Sequence, residues 1–463
     1  MSSPVFVVLS FEGPDKYSRV GGLATRVAGL VRELARQGCE THLFFVGDPA
    51  LPGHEVQENG LLHLHRWVQW ISQHHPAGAY DGEKQKLWDW NRSLPGYLLK
   101  DLLPAVVSSG RCAVIIGEEW QTTDVLLAVH AGIAQAGWRD RVRLVWNANN
   151  TYGFEHVNWV ALKEAATITT VSRYMKYVMK DQGIPARAIP NGIEDRWMKP
   201  LPPEDLAPLE TALKGRVAIT KVARWDSEKR WDYAVDSVAL LKVLGLSPVF
   251  FARGGAPDKG ADVLTQIQMR GLTVSRVRWE GQDAHALTAA LLPSLGADVV
   301  LLESMLHEEQ SKLLYRVSDA VLANSSMEPF GLVGLETMAA GGIAAVGSTG
   351  EDYMTNGYDA ISLQTDDVWE FVRYVARLRN QPGAQQTMRS EARKSAARYT
   401  WGAVIERALF PFIRELGLNL NGDPEAVEPT PRDRKPPGHL VARRSRIRES
   451  DLGAPGVFKI RPG

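Results

Sequence analysis

Short apolar runs alternate with amphipathic stretches along most of the chain, and this rhythm predicts a doubly wound α/β protein. Residues 5–10 form an apolar run closed by turn residues, the pattern of a strand buried on both faces. Residues 19–37 enter through two glycines and then place Leu23, Val27, Leu30, Val31 and Leu34 at helical spacing, with Gly38 positioned to end the helix. Residues 41–46 supply the next strand. Residues 112–116, 142–146 and 166–171 continue the series, and polar residues follow each of them: Glu118-Glu119-Trp120, Asn147 to Asn150, and Ser172 as a helix cap. Such clusters gather on one rim of a parallel sheet. Residues 52–104 break the rhythm. Trp67, Trp70, Trp88 and Trp90 stand among His63, His65, His74 and His75 with no long period. That stretch reads as an irregular aromatic insert, either facing a ligand or packed on the sheet edge.

A second series begins after the proline-rich residues 199–208, which read as a linker. Strands are expected at 217–222, at 249–252 (ending in Arg253-Gly254-Gly255), at 299–303, at 321–323 and at 343–346. Helices are expected at 231–244, 309–318, 368–378, 384–399 and 401–416. The organisation is therefore a first Rossmann-like half over 1–198 and a second over 209–398. A helix at 399–418 packs back toward the first half, and residues 419–463, rich in Pro, Arg, Asp and Glu, form a disordered tail with a basic patch.

Composition narrows the classes. With 463 residues the chain exceeds one ordinary core. Lys+Arg and Asp+Glu are equal at 53 each, so no net charge steers nucleic acid or membrane to the surface. Two isolated cysteines, Cys39 and Cys112, fit a reducing compartment. No apolar run is long enough to span a bilayer or serve as a signal peptide, so a cytoplasmic location is expected. The oligomeric state is left open.

Candidate chemistry concentrates in residues 324–350. Glu328 stands where the strand at 321–323 becomes a loop, and Glu336 stands inside the following helix. Phe330, Gly331, Leu332 and Val333 offer backbone N–H groups at that helix start, an anion cradle at the carboxyl end of a strand. Two glutamates near a helix start are, alone, a capping feature and a surface residue. The wider pattern Glu-Pro-Phe-Gly-Leu-Val-x-Leu-Glu-x-Met-Ala-x-Gly resembles the signature of retaining glycosyltransferases with the GT-B fold, glycosyltransferase family 4 and the glycogen and starch synthases. Other segments extend the resemblance. Arg19-Val20-Gly21-Gly22-Leu23-Ala24 is similar to the Lys-x-Gly-Gly-Leu-Ala loop of the synthases, and Arg224 to Lys229 to the Arg-x4-Lys segment. Thr170-Val171-Ser172 and Pro190-Asn191-Gly192-Ile193 match further marks, and Gly254 lies at a glycine-rich strand end of the nucleotide half. Glu118-Glu119-Trp120-Gln121-Thr122 is similar to a His-Asp-Trp-Gln-Thr segment, with Glu118 in place of the histidine.

The resemblance implies two Rossmann-like domains facing across a cleft, acceptor on the first and nucleotide sugar on the second. It implies a metal-independent, front-face transfer of a hexose, glucose by preference, from ADP- or UDP-glucose to a saccharide, with no cofactor. Arg224 and Lys229 would grip the donor phosphates. Glu328 would take donor sugar hydroxyls, and the N–H groups at 330–333 the sugar and phosphate. Glu336 would hold the ribose hydroxyls, with Tyr315 nearby and the base read around residues 304–306. Arg19, Gly21, Gly22, Glu118, Asn191 and Gly254 complete the substrate-binding set. The alternatives are a non-catalytic glycan-binding relative, which the retained cations oppose, and another GT-B enzyme. Among the latter, a phosphorylase lacks its pyridoxal-phosphate lysine segment here, and the paired motifs argue against an epimerase. An oxidoreductase ranks last, because no Gly-x-Gly-x-x-Gly follows the first strand.

Overall fold

The computed structural model describes residues 3–255, 260–347 and 349–418. The first half folds around an eight-stranded sheet of β1 (Val5–Leu9), β2 (Thr41–Val46), β3 (His54–Gln57), β4 (Leu62–Trp67), β5 (Ala113–Glu118), β6 (Val142–Ala148), β7 (Thr167–Thr170) and β8 (Arg187–Ala188). Their order is β3-β4-β2-β1-β5-β6-β7-β8, all parallel except β3, which runs antiparallel on β4. The second half holds β9 (Arg216–Val222), β10 (Ser247–Arg253), β11 (Val274–Val277), β12 (Val299–Leu302), β13 (Ala320–Ala323), β14 (Ala344–Val346) and β15 (Ile361–Ser362). These lie in the order β11-β12-β10-β9-β13-β14-β15, with every pairing parallel. Central strands such as β1 and β2 are buried at every position, because helices cover both faces. This is the GT-B arrangement of two parallel-dominated α/β sheets.

Strand order reverses beside β1 and β5 in the first sheet and beside β9 and β13 in the second. Loops leaving those strands splay apart at their carboxyl ends and open a crevice. The four loops that follow β1, β5, β9 and β13 are therefore the ones the topology commits to a ligand.

Two local expectations are corrected. Residues 52–104 are not an irregular insert. They form β3, β4 and a 15-residue helix, Glu83–Tyr97, and Trp90 is wholly buried. Along β4, Leu62 and Leu64 pack with the helix Gly22–Arg36. His63, His65 and Trp67 alternate to the other face. There His42 stacks on His63 with ring centres 4.4 Å apart, and Phe44 stacks on His65 at 4.2 Å. Polar composition masked a period of two. The proline-rich linker is also shorter than expected. Pro203–Ala212 is a helix with proline at its first position, where the missing N–H costs no hydrogen bond. The expected tail, 419–463, lies outside the described residues. Among the described residues no helix is long and apolar enough to cross a membrane.

The chain passes between the halves twice, and the passages pair. Ile193 N–H donates to Tyr399 O at 2.9 Å, and Trp401 N–H donates to Ile193 O at 2.9 Å. Beyond this bridge Trp401, Ile405, Leu409 and Phe412 join the core over Phe6, Val27 and Leu43 of the first half. Trp401 is 3% exposed and wedged between two glycines. A Cβ on Gly29 would lie 2.1 Å from its Nε1, and one on Gly192 would lie 2.6 Å from its Cδ2. We expect Trp401→Ala to lower unfolding free energy by about 3–5 kcal/mol. Gly29→Val should act in the same direction by expelling the ring. Urea unfolding of each variant against the parent checks both.

Candidate active site

The loops after β9 and β13 meet on the wall of the second half. After β9 the chain makes a short 3-10 turn over Ser227–Lys229, and Arg230 then adopts φ 52°, ψ 52° before the helix Trp231–Val243 begins. A left-handed arginine is uncommon and strained. Its effect is to aim the preceding Lys229 into the cleft, where Nζ lies 2.8 Å from Glu328 Oε2. Arg224 is anchored by its backbone: its carbonyl accepts from Trp231 Nε1 at 2.7 Å. Its side chain is 78% exposed and, among the described residues, pairs with Asp226 at 3.0 Å. Behind them Lys221 is buried on β9 with Nζ 2.8 Å from Asn324 Oδ1, and burial followed by repulsion from Lys229 and Arg230 lowers it to about 7.

The helix Leu332–Ala339 begins at Gly331 with no side-chain cap. Phe330 is buried against Tyr353 and Tyr399, and Tyr353 OH donates to Gly331 O at 2.6 Å, which fixes the turn. Glu351 supports it from beneath. Oε2 accepts from Thr349 N–H at 2.9 Å, Oε1 is buried without a partner among the described residues, and burial pushes the carboxyl up to about 7.

These groups face a cleft of about 980 Å³ between the halves, and a second chamber of about 1070 Å³ adjoins it. The backbone at Val222 to Arg224 and the Val333 side chain border both. Lys229, Glu328, Phe330, Gly331, Leu332 and Val333 line the first, together with Gly22 and Asn191 from the opposite wall. Glu336, Tyr315, Gly254 and Arg19 line the second. Burial, then the nearby Glu308 carboxylate, raises Glu336 to about 8, so it carries its proton at neutral pH. Gly254 admits the Trp225 ring, which a Cβ would meet at 1.7 Å.

The first-half wall departs from expectation at two places. Gly21 and Gly22 were expected to bring a helix start against a diphosphate, yet Glu12, in the loop after β1, already occupies that position. Its Oε2 accepts from the N–H groups of Val20, Gly21 and Ala24 at 3.3, 2.9 and 3.2 Å, and Tyr80 OH donates to its Oε1 at 2.9 Å. Gly21 lines neither chamber. Glu118, expected to meet a sugar hydroxyl, is the last residue of β5 and has no exposed surface. Its oxygens are taken by Arg26 Nε at 3.1 Å and by the amides of Asn147 and Asn149 at 2.9 Å. Just past the strand end Glu119, at φ 65°, lines the cleft and accepts from Asn149 N–H at 2.7 Å. Burial, with Glu118 behind, raises it to about 8. Asn191 bridges the two layers, accepting from Arg26 Nη1 at 2.5 Å while it borders the cleft.

Sequence reasoning missed Glu12, Glu119, Lys221 and Glu351. A lysine inside the apolar run of β9 was a visible signal for Lys221. Glu119 was one residue from the position singled out. One group in the described residues has the reach to hold a metal ion: Glu40, His42 and His63, with ligand atoms within 4.8 Å of one another. It sits at the amino ends of β2 and β4, opposite the carboxyl ends that form the cleft.

A family model described as Glycosyltransferase Family 4 matches residues 20–197, and one described as Glycosyl transferases group 1 matches residues 210–395. Over 125 residues the chain is 31% identical to the D-inositol 3-phosphate glycosyltransferase of Thermobispora bispora; the match spans 26% of this chain and 29% of that relative's length. Among solved structures it is similar to the catalytic domain of starch synthase IV from Arabidopsis thaliana bound to ADP and acarbose. The TM-score is 0.62 at 15% identity, covering 90% of this chain and 100% of that one. It is also similar to sucrose-phosphate synthase from Thermosynechococcus elongatus, with a TM-score of 0.59 at 16% identity, covering 89% and 99%. At these identities the likeness is one of fold.

Glu351→Gln tests the buried carboxyl. In the folded chain the group holds its proton up to about pH 7, whereas unfolded it ionises near its ordinary value of 4.5. Its contribution is therefore intact below 4.5, falls as pH rises toward 7, and stays lost above. The amide should raise stability by about 1–3 kcal/mol at pH 8 and by little at pH 4.5, measured by urea unfolding at both.

Proposed function

Because this chain belongs to the GT-B glycosyltransferases of family 4, we propose that it transfers a hexose, glucose by preference, from a nucleoside-diphosphate sugar to a saccharide hydroxyl with retention at the anomeric carbon. The observation that carries this reading is that Lys229, Arg224 and the uncapped start of helix Leu332–Ala339 line the same cleft from the second half.

A diphosphate leaving group gathers negative charge on its bridging oxygen as the glycosidic bond breaks. Cations and N–H dipoles fixed at that oxygen stabilise it without rearranging during the reaction. Glu328 pairs with Lys229 and holds the ammonium at the cleft wall. A bound diphosphate takes over the ammonium and Arg224 swings in from Asp226. Glu328 is thereby released to accept from hydroxyls of the donor sugar. Glu336, uncharged in the second chamber, can accept from and donate to the ribose diol without adding charge beside the phosphates. In a front-face transfer the acceptor oxygen forms its bond to the anomeric carbon on the face the phosphate leaves. The hydroxyl proton passes to the departing phosphate oxygen. The two cations do the work a metal would otherwise do, and position supplies the remainder. ADP- and UDP-glucose are the favoured donors.

Release of nucleoside diphosphate from ADP-, UDP- and GDP-sugars tests the reading, with the product anomer determined by NMR. Arg224→Ala combined with Lys229→Ala should lower turnover by at least about 100-fold; near-parental turnover would remove the phosphate-grip assignment. Glu336→Ala should weaken nucleoside-diphosphate binding about tenfold in calorimetry, and an unchanged affinity would refute the ribose role.

A further inference from the structure

We infer that the acceptor taken by this cleft is a saccharide without phosphate, and that Glu12 is the residue that sets the preference. The inference rests on the glycosyl-transfer reading and deepens it on the acceptor side.

A helix start at the carboxyl end of a strand is the usual place for a protein to hold a phosphate. The first half has one in the right location, the start of the helix Gly22–Arg36 beside the cleft, but it is filled from within. Glu12 takes three N–H groups there and is only 6% exposed. Tyr80, closing over its other oxygen, leaves the carboxylate no room to withdraw without breaking a fourth hydrogen bond. An incoming phosphate would meet a fixed negative charge where it would otherwise meet free donors.

Among the described residues, the first-half side chains that line the first chamber do not offset the repulsion. Among the described residues the first half lines the cleft with Glu119, Gln121, Asn149, Asn150 and the rings of Trp120 and Tyr174, and with no lysine, arginine or histidine. Arg26 is buried, with its charge spent on Glu118 and Asn191 behind the surface, and Arg19, Arg32 and Arg36 border the adjoining chamber instead. Arg173 is turned to Asp352. Lys221, Arg224 and Lys229 belong to the opposite wall, where the leaving diphosphate needs them. What the wall does offer suits a neutral sugar. It has amides and a protonated Glu119 for hydroxyls, and aromatic faces for the ring.

The test uses the full chain loaded with nucleoside diphosphate. Binding by saturation-transfer NMR, and stimulation of donor turnover, are compared for glucose and glucose 6-phosphate, fructose and fructose 6-phosphate, and myo-inositol and myo-inositol 1-phosphate. The unphosphorylated member of a pair is expected to be preferred by about tenfold or more. Glu12→Ala should shrink that ratio to within about threefold and make inorganic phosphate a competitor, which it is not for the parent. Glu12→Gln, which keeps an acceptor on the N–H groups but removes the charge, should fall between and guards against misfolding of the alanine variant. A parent that prefers a phosphorylated member, an unchanged ratio in both variants, or a nucleotide-loaded chain that engages no member of any pair would each overturn the inference. Failure of the donor reading shows separately, as a parent that binds no nucleoside diphosphate.

Discussion

The cleft exists because the chain passes between its two halves side by side. Ile193 going out and Tyr399 to Trp401 coming back exchange backbone hydrogen bonds, and Trp401 is then driven into the core of the first half. That pairing holds the carboxyl ends of both sheets to one crevice. Each sheet would present a switch-point crevice by itself. The paired passage sets the loops after β1 and β5 opposite those after β9 and β13 across one cleft.

Within that frame the site is organised by strain and by charge held out of water. Glu119 and Arg230 both adopt left-handed backbone that non-glycine residues avoid, and each sits beside the side chain that matters: Glu119 itself, and Lys229. Such conformations persist only where the surroundings over-determine them. Lys221, Glu119, Glu336 and Glu351 are all pushed toward neutrality by burial. Lys229 and Glu328 instead neutralise one another.

How much of this was legible varied with the physics involved. The alternation of apolar runs and amphipathic helices located ten of the fifteen described strands, the central ones, because burial on two faces leaves a continuous apolar signature. Residues 52–104 escaped because a half-buried strand that faces histidine and tryptophan inward reads as polar. The second-half wall of the cleft was legible because Arg224, Lys229, Glu328 and Glu336 come from two contiguous segments, and they line the two adjoining chambers. The first-half wall was not. Glu118 and Glu119 are adjacent and both buried, but β5 ends at Glu118, and of the two it is Glu119 that borders the cleft. Glu12 gives no pattern at all, since what it caps is set by a turn of the chain rather than by spacing.

The paired passage has a mechanical corollary. The two hydrogen bonds of the passage, the Arg173–Asp352 pair and the packing of Trp401 tie one half to the other at several points, so the two chambers share one set of supports.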